Sequence, residues 1–121
     1  MNQDEILIWS ILQQHLGSCR AIQVRQLVFL TDISERDVRS IVKDLIETHH
    51  KPIGSTVHKP YGYYVIMNNA ERLSVRNSLY RRALSTLKRA RAYESDKSLW
   101  AKNLIGQLEL QLGEVKQKSR I

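Results

Sequence analysis

Cysteine and long apolar segments are scarce in this sequence. Its 121 residues include a single cysteine, Cys19, which excludes an internal disulfide and suits a reducing compartment. No apolar run approaches the ~18 residues that a membrane-spanning helix needs, and the N-terminus lacks a basic region followed by an apolar run. We therefore expect a soluble, intracellular protein with no membrane partner.

Arrangements of residues that perform catalysis are also lacking. The sequence has no glycine-rich phosphate loop, no His-Glu-x-x-His and no Cys-x-x-Cys, and its carboxylates are scattered rather than paired. The conceivable metal ligands are His15, Cys19, His49 and His50. His15, however, falls on an apolar helical stripe, and a Gly-Ser break separates it from Cys19. The sequence predicts neither an enzyme nor a bound metal or cofactor.

The net charge of +7 is concentrated in one segment. Residues 1–67 carry seven basic and seven acidic side chains, residues 68–93 carry seven basic and one acidic, and residues 94–121 carry five basic and four acidic. Such a basic segment favours a polyanionic partner, and nucleic acid is the commonest. A solvated helix with incidental charge is the alternative.

Two amphipathic helices are predicted near the N-terminus, separated by a short stretch, Cys19 to Ile22, that is expected to pair as an edge strand. Asn2 and Glu5 are placed to cap the first helix, which Gly17-Ser18 ends. Its apolar stripe is Ile8, Ile11, Leu12, His15 and Leu16. The second helix stops near Thr31-Asp32, and its inward residues are Val24, Leu27, Val28 and Leu30.

A third helix has the strongest periodicity in the chain. Ser34 is its expected N-cap, and Asp37 suits the positive end of the helix dipole. The apolar stripe is Val38, Ile41, Val42, Leu45 and Ile46. Burying that stripe turns a polar set outward, namely Ser34, Arg36, Arg39, Ser40 and Lys43.

A hairpin and further helices are predicted after His49-His50. Strands near 52–57 and 63–66 flank a turn that contains Pro60 and Gly62, with Ile53, Tyr63 and Val65 toward the core. A long helix begins at Asn68-Asn69 and runs to about Tyr93. Its apolar face is Leu73, Leu79, Tyr80, Ala83, Leu84, Leu87 and Ala90. Another helix is expected from Ser95 or Asp96 to near Gly113.

Two helices joined by a tight turn and followed by a hairpin form a winged helix-turn-helix. The stretch Ile22 to Ile66 resembles that superfamily, and is similar to small winged-helix proteins of phage and prophage replication or regulation regions. The segments that carry the resemblance are Ile33–Arg39, Ile41–Leu45, Pro52–Ser55 and Gly62–Ile66. The expected class is thus mainly α with a small β-hairpin: a winged domain over 1–67 and a helical extension over 68–121.

The resemblance implies double-stranded DNA binding by a transcriptional regulator or a replication factor. The helix at about 34–48 would enter the major groove, where arginine reads guanine and serine or lysine contacts bases or phosphates. The wing, about 53–66, would touch the backbone through His58, Lys59 and Tyr61. The helix at about 69–93 would add phosphate contacts from Arg81, Arg82, Lys88 and Arg89. For each of these side chains an ordinary solvated surface is the alternative.

The last helix has apolar residues on heptad-like spacing, which are Ala101, Leu104, Leu108 and Val115, with Gln111 between and Ile105 and Leu112 beside them. This pattern predicts a homodimer through the C-terminal helices, or else a helix that folds back on its own domain. Two rival functions also stay open. One is a winged-helix adaptor that docks another protein. The other is single-stranded nucleic acid binding, which the single phenylalanine, Phe29, disfavours.

Overall fold

Helices and one short hairpin follow one another along the chain, which we describe from a computed structural model covering residues 1–56, 58–93 and 99–113. The elements are α1 (Gln3–Leu12), a 3-10 turn (Ser18–Arg20), α2 (Val24–Thr31), α3 (Glu35–Glu47), β1 (Ile53–Thr56), β2 (Gly62–Val65), α4 (Asn69–Arg91) and α5 (Leu99–Gln111). The predicted class, mainly α with a small β-hairpin, is confirmed. Three predicted positions, Val57, the Ser95-Asp96 helix start and Val115, lie outside the described residues.

The chain divides into two compact units, Met1–Val75 and the part from Arg76 onward. The boundary between them falls inside α4, eight residues beyond the boundary at 67/68 that the sequence suggests. The first unit contains α1 to α3, the hairpin and the first turns of α4. The second contains the rest of α4 and α5.

The core of the first unit lies between α1, α2, α3 and the hairpin. Its buried residues are Ile8, Leu12, Ile22, Leu27, Val38, Val42, Leu45, Ile53 and Val65. The inward orientation that the sequence predicts for Val38, Val42 and Leu45 is confirmed, and Ile41 and Tyr63 pack against the same cluster. Burial of this aliphatic face, rather than helix propensity, holds α3 in place.

The hairpin pairs β1 with β2 in antiparallel register, from Ile53 opposite Val65 to Thr56 opposite Gly62. The second edge of β2 is also occupied. Ile22 and Tyr63 exchange two backbone hydrogen bonds of 2.8 Å, and the Val65 N–H donates to the carbonyl of His15 at 2.8 Å. Because the His15 carbonyl and the Gly17 N–H are both bonded to Val65, at 2.8 and 2.9 Å, neither makes a helical i to i+4 bond, and α1 does not continue through them.

This pairing corrects two predictions about the chain before α2. The first helix ends at Leu12 rather than at Gly17-Ser18, so Leu16 is off the helix and exposed. Cys19 lies in the 3-10 turn, and of the predicted edge strand Ile22 alone pairs, through an isolated bridge. Three further residues predicted to face inward, Leu30, Ile46 and Leu79, are exposed.

On the outward face of the hairpin, Val75 in the first turns of α4 lies beside Gly54, a contact that the sequence did not indicate. Tyr64 is buried there, and burial raises the pKa of its hydroxyl. Gly54 stands opposite Tyr64 in the register. A Cβ at Gly54 would come within 2.7 Å of the Tyr64 ring and 2.9 Å of Val75 Cγ2. The absent side chain therefore makes room for the tyrosine.

The start of α4 is fixed by its first-turn carboxylate. Asn68 Oδ1 accepts from the Glu71 N–H at 2.9 Å, as an N-cap does. The Glu71 carboxylate accepts from the backbone N–H groups of Met67, at 2.8 Å, and Ser18, at 2.7 Å. These bonds, Met67 first, lower the pKa of Glu71. Glu71 thereby holds the beginning of α4 against the loop that follows α1.

Candidate nucleic-acid interface

The turn between α2 and α3 sets the start of the candidate recognition helix. Asp32 takes the left-handed conformation (φ 60°), and its N–H donates to the carbonyl of Val28 at 2.8 Å. Ser34 Oγ then accepts from the Asp37 N–H at 3.2 Å. The predicted N-cap of α3 is therefore confirmed. It sets where the helix begins.

Three polar residues form a row along the outward face of α3. Arg36, Ser40 and Lys43 are spaced at i, i+4 and i+7, so they share one side of the helix, and all three are exposed. Val38, Val42 and Leu45 are buried on the opposite side. Over residues 1–56, 58–93 and 99–113, neither Arg36 nor Lys43 forms a salt bridge. Both cations therefore face solvent with their donors available.

Arg39 differs from its neighbours in the predicted set. Its Nη2 donates to Glu35 Oε1 at 2.9 Å, one helical turn away, and both side chains are exposed. This hydrogen bond, together with the proximity of Tyr63 in β2, raises the pKa of Arg39. Arg39 thus lies where α3 adjoins the hairpin, and its guanidinium already has an anionic partner. A base or a phosphate would have to compete with Glu35.

The predicted wing contacts lie at the hairpin tip. His58, Lys59 and Tyr61 are exposed there. Thr56 Oγ1 donates to the carbonyl of Pro60 at 2.6 Å, which closes the loop across its base. Behind the tip, in the two strands, Ile53, Tyr63 and Val65 belong to the core region as predicted. The tip therefore presents polar and aromatic groups from an anchored base.

The basic residues predicted on the long helix belong to the second unit. Arg81, Arg82, Lys88 and Arg89 are exposed on α4, while Leu84 is buried and Tyr80 and Leu87 are half-buried. The apolar face is narrower than predicted, because Leu79, Ala83 and Ala90 are exposed. Lys88 Nζ lies 3.9 Å from Glu109 Oε2 of α5. Its charge is therefore partly compensated within this unit.

The helix α5 carries apolar residues on more than one side. Ala101 and Ile105 are buried, whereas Leu99 and Trp100 are largely exposed and Leu104 is exposed in part. Within the predicted seam, Ala101 is thus buried, Leu108 is half-buried and Leu104 is exposed. Trp100, which the sequence analysis did not single out, is the largest exposed apolar residue of this helix.

One further polar contact escaped sequence analysis. Glu5 completes the predicted capping box with Asn2, and its second carboxylate oxygen lies 3.2 Å from Nε2 of His49, beyond the end of α3. The bond from the Asn2 N–H is the main reason that the pKa of Glu5 is lowered, and His49 contributes. The spacing of Asn2 and Glu5 in the sequence revealed the capping box. The contact with His49 could not be inferred, because 44 residues separate it from Glu5.

No helix in the described part of the chain is long and apolar enough to cross a membrane. Across the same residues, no three His, Cys, Asp or Glu side chains are grouped so as to hold a metal ion. Comparisons of the chain with protein-family models, with curated proteins and with solved structures found no match.

Proposed function

We propose that this chain binds double-stranded DNA as a winged helix-turn-helix protein, in transcriptional regulation or in replication. The helix α3 enters the major groove, and the hairpin tip lies on the neighbouring backbone. A protein with this function works in the cytoplasm, on the nucleoid if the host is bacterial.

The observation that carries the proposal is the solvent-facing row of Arg36, Ser40 and Lys43 on α3. A row with this spacing follows one side of a helix, as base-edge contacts in the major groove require. Arginine donates to guanine O6 and N7, and lysine reaches either a base or a phosphate. The exposed hairpin tip follows α3 in the chain, as a wing follows a recognition helix.

The division of labour within the protein follows from charge. The helix α3 itself has no net positive charge, because Glu35, Asp37, Asp44 and Glu47 outnumber its three cations. Affinity therefore depends on phosphate contacts from Arg81, Arg82, Lys88 and Arg89, while α3 supplies sequence preference. Two copies of the chain, joined through the exposed Trp100 and Leu104 of α5, would occupy paired half-sites. A monomer in sedimentation at tens of micromolar would remove the dimer from this proposal.

Fluorescence anisotropy tests the proposal with labelled duplexes of random and of genomic sequence. Measurements run from about 50 to about 200 mM salt, over which four phosphate contacts reduce affinity roughly a hundredfold. We expect a steep salt dependence and a tighter complex with some genomic duplexes than with random ones. Absence of duplex binding at low salt would contradict the proposal and favour the adaptor. Salt-dependent binding without discrimination would favour an architectural role.

A further inference from the structure

An open apolar groove runs along the outward side of α2. Its volume is about 500 Å³, and the residues that line it are His15, Ile22, Arg25, Gln26, Phe29 and Leu30. Phe29 is 88% exposed and Leu30 is 58% exposed. The core uses the other side of the helix, where Leu27 is buried and Val24 and Val28 pack beside it. Phe29 and Leu30 therefore contribute little to the stability of this unit.

Exposed apolar side chains gathered in a groove are typical of an interaction surface. A small molecule would need enclosure, since ligand sites bury most of their ligand. This groove gives little, because the Phe29 ring stands almost entirely in water. A helix laid along α2 would instead cover both Phe29 and Leu30, as amphipathic helices cover the grooves that bind them. Four of the lining residues are paired one helical turn apart on α2, Arg25 with Phe29 and Gln26 with Leu30, a spacing that suits a helical segment.

The charge at the groove specifies that segment further. None of the six lining residues is acidic, and Arg25 supplies a cation. Its Nε donates to Gln23 Oε1 at 2.8 Å, which orients the guanidinium and leaves its Nη donors for a carboxylate. Arg20 lies in the 3-10 turn, two residues before the lining residue Ile22. It is exposed and is a second cation in this part of the sequence.

We propose that the α2 groove docks an amphipathic helical segment of a partner protein, with apolar residues at i and i+3 or i+4 and carboxylates that pair with Arg25. The groove has no residue in common with the row of Arg36, Ser40 and Lys43. The proposal therefore goes beyond DNA binding and does not depend on it. DNA binding and docking are separable by substitution.

Peptide selection tests the docking proposal directly. The probe is a random 16-residue library displayed on phage and selected against the full chain, and enriched peptides are then synthesised and titrated. We expect apolar pairs at helical spacing with flanking Asp or Glu. Phe29→Ser, Leu30→Ser and Arg25→Glu should each weaken binding about tenfold or more, as loss of an interface anchor does.

The chain offers matched controls for two of these changes. Leu79→Ser makes the same substitution as Leu30→Ser at a residue of similar exposure, 53%, in the second unit. Lys102→Glu matches the charge reversal of Arg25→Glu at an exposed position of α5. Both controls should leave peptide affinity within about twofold. Thermal melting should show every variant folded, because the changed side chains are exposed.

Three results would overturn the proposal. The first is failure to enrich any peptide. The second is enrichment of peptides that are basic or whose affinity the controls reduce as much as the groove variants do. The third is a loss of duplex DNA affinity in Phe29→Ser equal to the loss of peptide affinity, since the face would then belong to a nucleic acid site. Unchanged DNA affinity in the same variant supports docking by a protein.

Discussion

The Glu71 carboxylate accepts a 2.7 Å hydrogen bond from the backbone N–H of Ser18, 53 residues earlier in the chain. The same carboxylate accepts from the Met67 N–H, so one side chain joins the end of the hairpin, the start of α4 and the loop after α1. An unpaired amide in such a loop costs free energy when it is shielded from water. Glu71 satisfies the partly buried amide of Ser18 and also bonds the exposed amide of Met67.

Glu71→Gln should therefore lower the free energy of unfolding by about 2 kcal/mol, because a neutral amide accepts more weakly and its NH₂ group faces an amide donor. Chemical denaturation at pH 7 measures the change. Glu109→Gln is the control, since within the described residues the one salt bridge of Glu109 is a long contact to Lys88. Equal effects of the two substitutions would contradict the role given to Glu71.

The lowered pKa of Glu71 adds a pH dependence of definite sign. The folded carboxylate binds a proton less readily than the unfolded one, whose pKa is near 4.5. Its contribution to stability is thus complete above 4.5 and is lost as the pH falls through the lower folded value. The stability difference between wild type and Glu71→Gln should shrink over that range. Glu5, whose pKa is lowered too, should keep part of the acid sensitivity in the variant.

Two glycines should respond to alanine in opposite directions. Gly54→Ala places a Cβ 2.7 Å from the Tyr64 ring and 2.9 Å from Val75, which should cost about 1–3 kcal/mol of stability. Gly106→Ala meets no atom within 4 Å and removes a glycine from the interior of α5. It should stabilise by up to about 1 kcal/mol. Thermal melting of both variants measures these changes. If Gly54→Ala leaves the stability unchanged, the close packing of Tyr64 on Gly54 is wrong.

The ion pair between Glu35 and Arg39 gives a prediction about DNA. Glu35→Gln releases the guanidinium and removes a negative charge from the face that we propose binds DNA. Duplex affinity should rise roughly two- to fivefold. Asp4→Asn makes the same change of charge at an exposed position of α1 and should change affinity less. Fluorescence anisotropy measures the affinity. If Glu35→Gln weakens binding, the prediction is wrong and the ion pair helps to position Arg39.

The sequence predicted α3 well because its signals are local. An N-cap serine, a first-turn acid and an apolar stripe at helical spacing all lie within 13 residues, and the structure has Ser34 at the cap and Val38, Val42 and Leu45 in the core. The exposure of Arg36, Ser40 and Lys43 follows from that stripe alone. Even the bond between Arg39 and Glu35 matches the i, i+4 spacing of helical ion pairs.

Several of the errors have a different cause, which is contact between residues far apart in the chain. The first helix ends early because Val65 of β2 donates a hydrogen bond to the carbonyl of His15. The apolar pattern of α1 gives no indication of that bond. Tyr64 is buried on a hairpin face that period-2 alternation marks as outward, where Val75 of α4 lies beside Gly54. Leu30 fits a helical stripe and yet faces the groove. Periodicity identifies an apolar side of a helix but not which partner covers it.

The most direct test of the central claim compares two sets of alanine substitutions by anisotropy, on preferred and random duplexes across the salt series. Changing Arg36, Arg39 and Lys43 together should reduce the preference between sequences about tenfold or more, with a smaller loss of non-specific affinity. Changing Arg81, Arg82, Lys88 and Arg89 should instead lower affinity for all duplexes and flatten the salt slope. If both sets change preference and salt slope alike, the assignment of sequence reading to α3 is wrong.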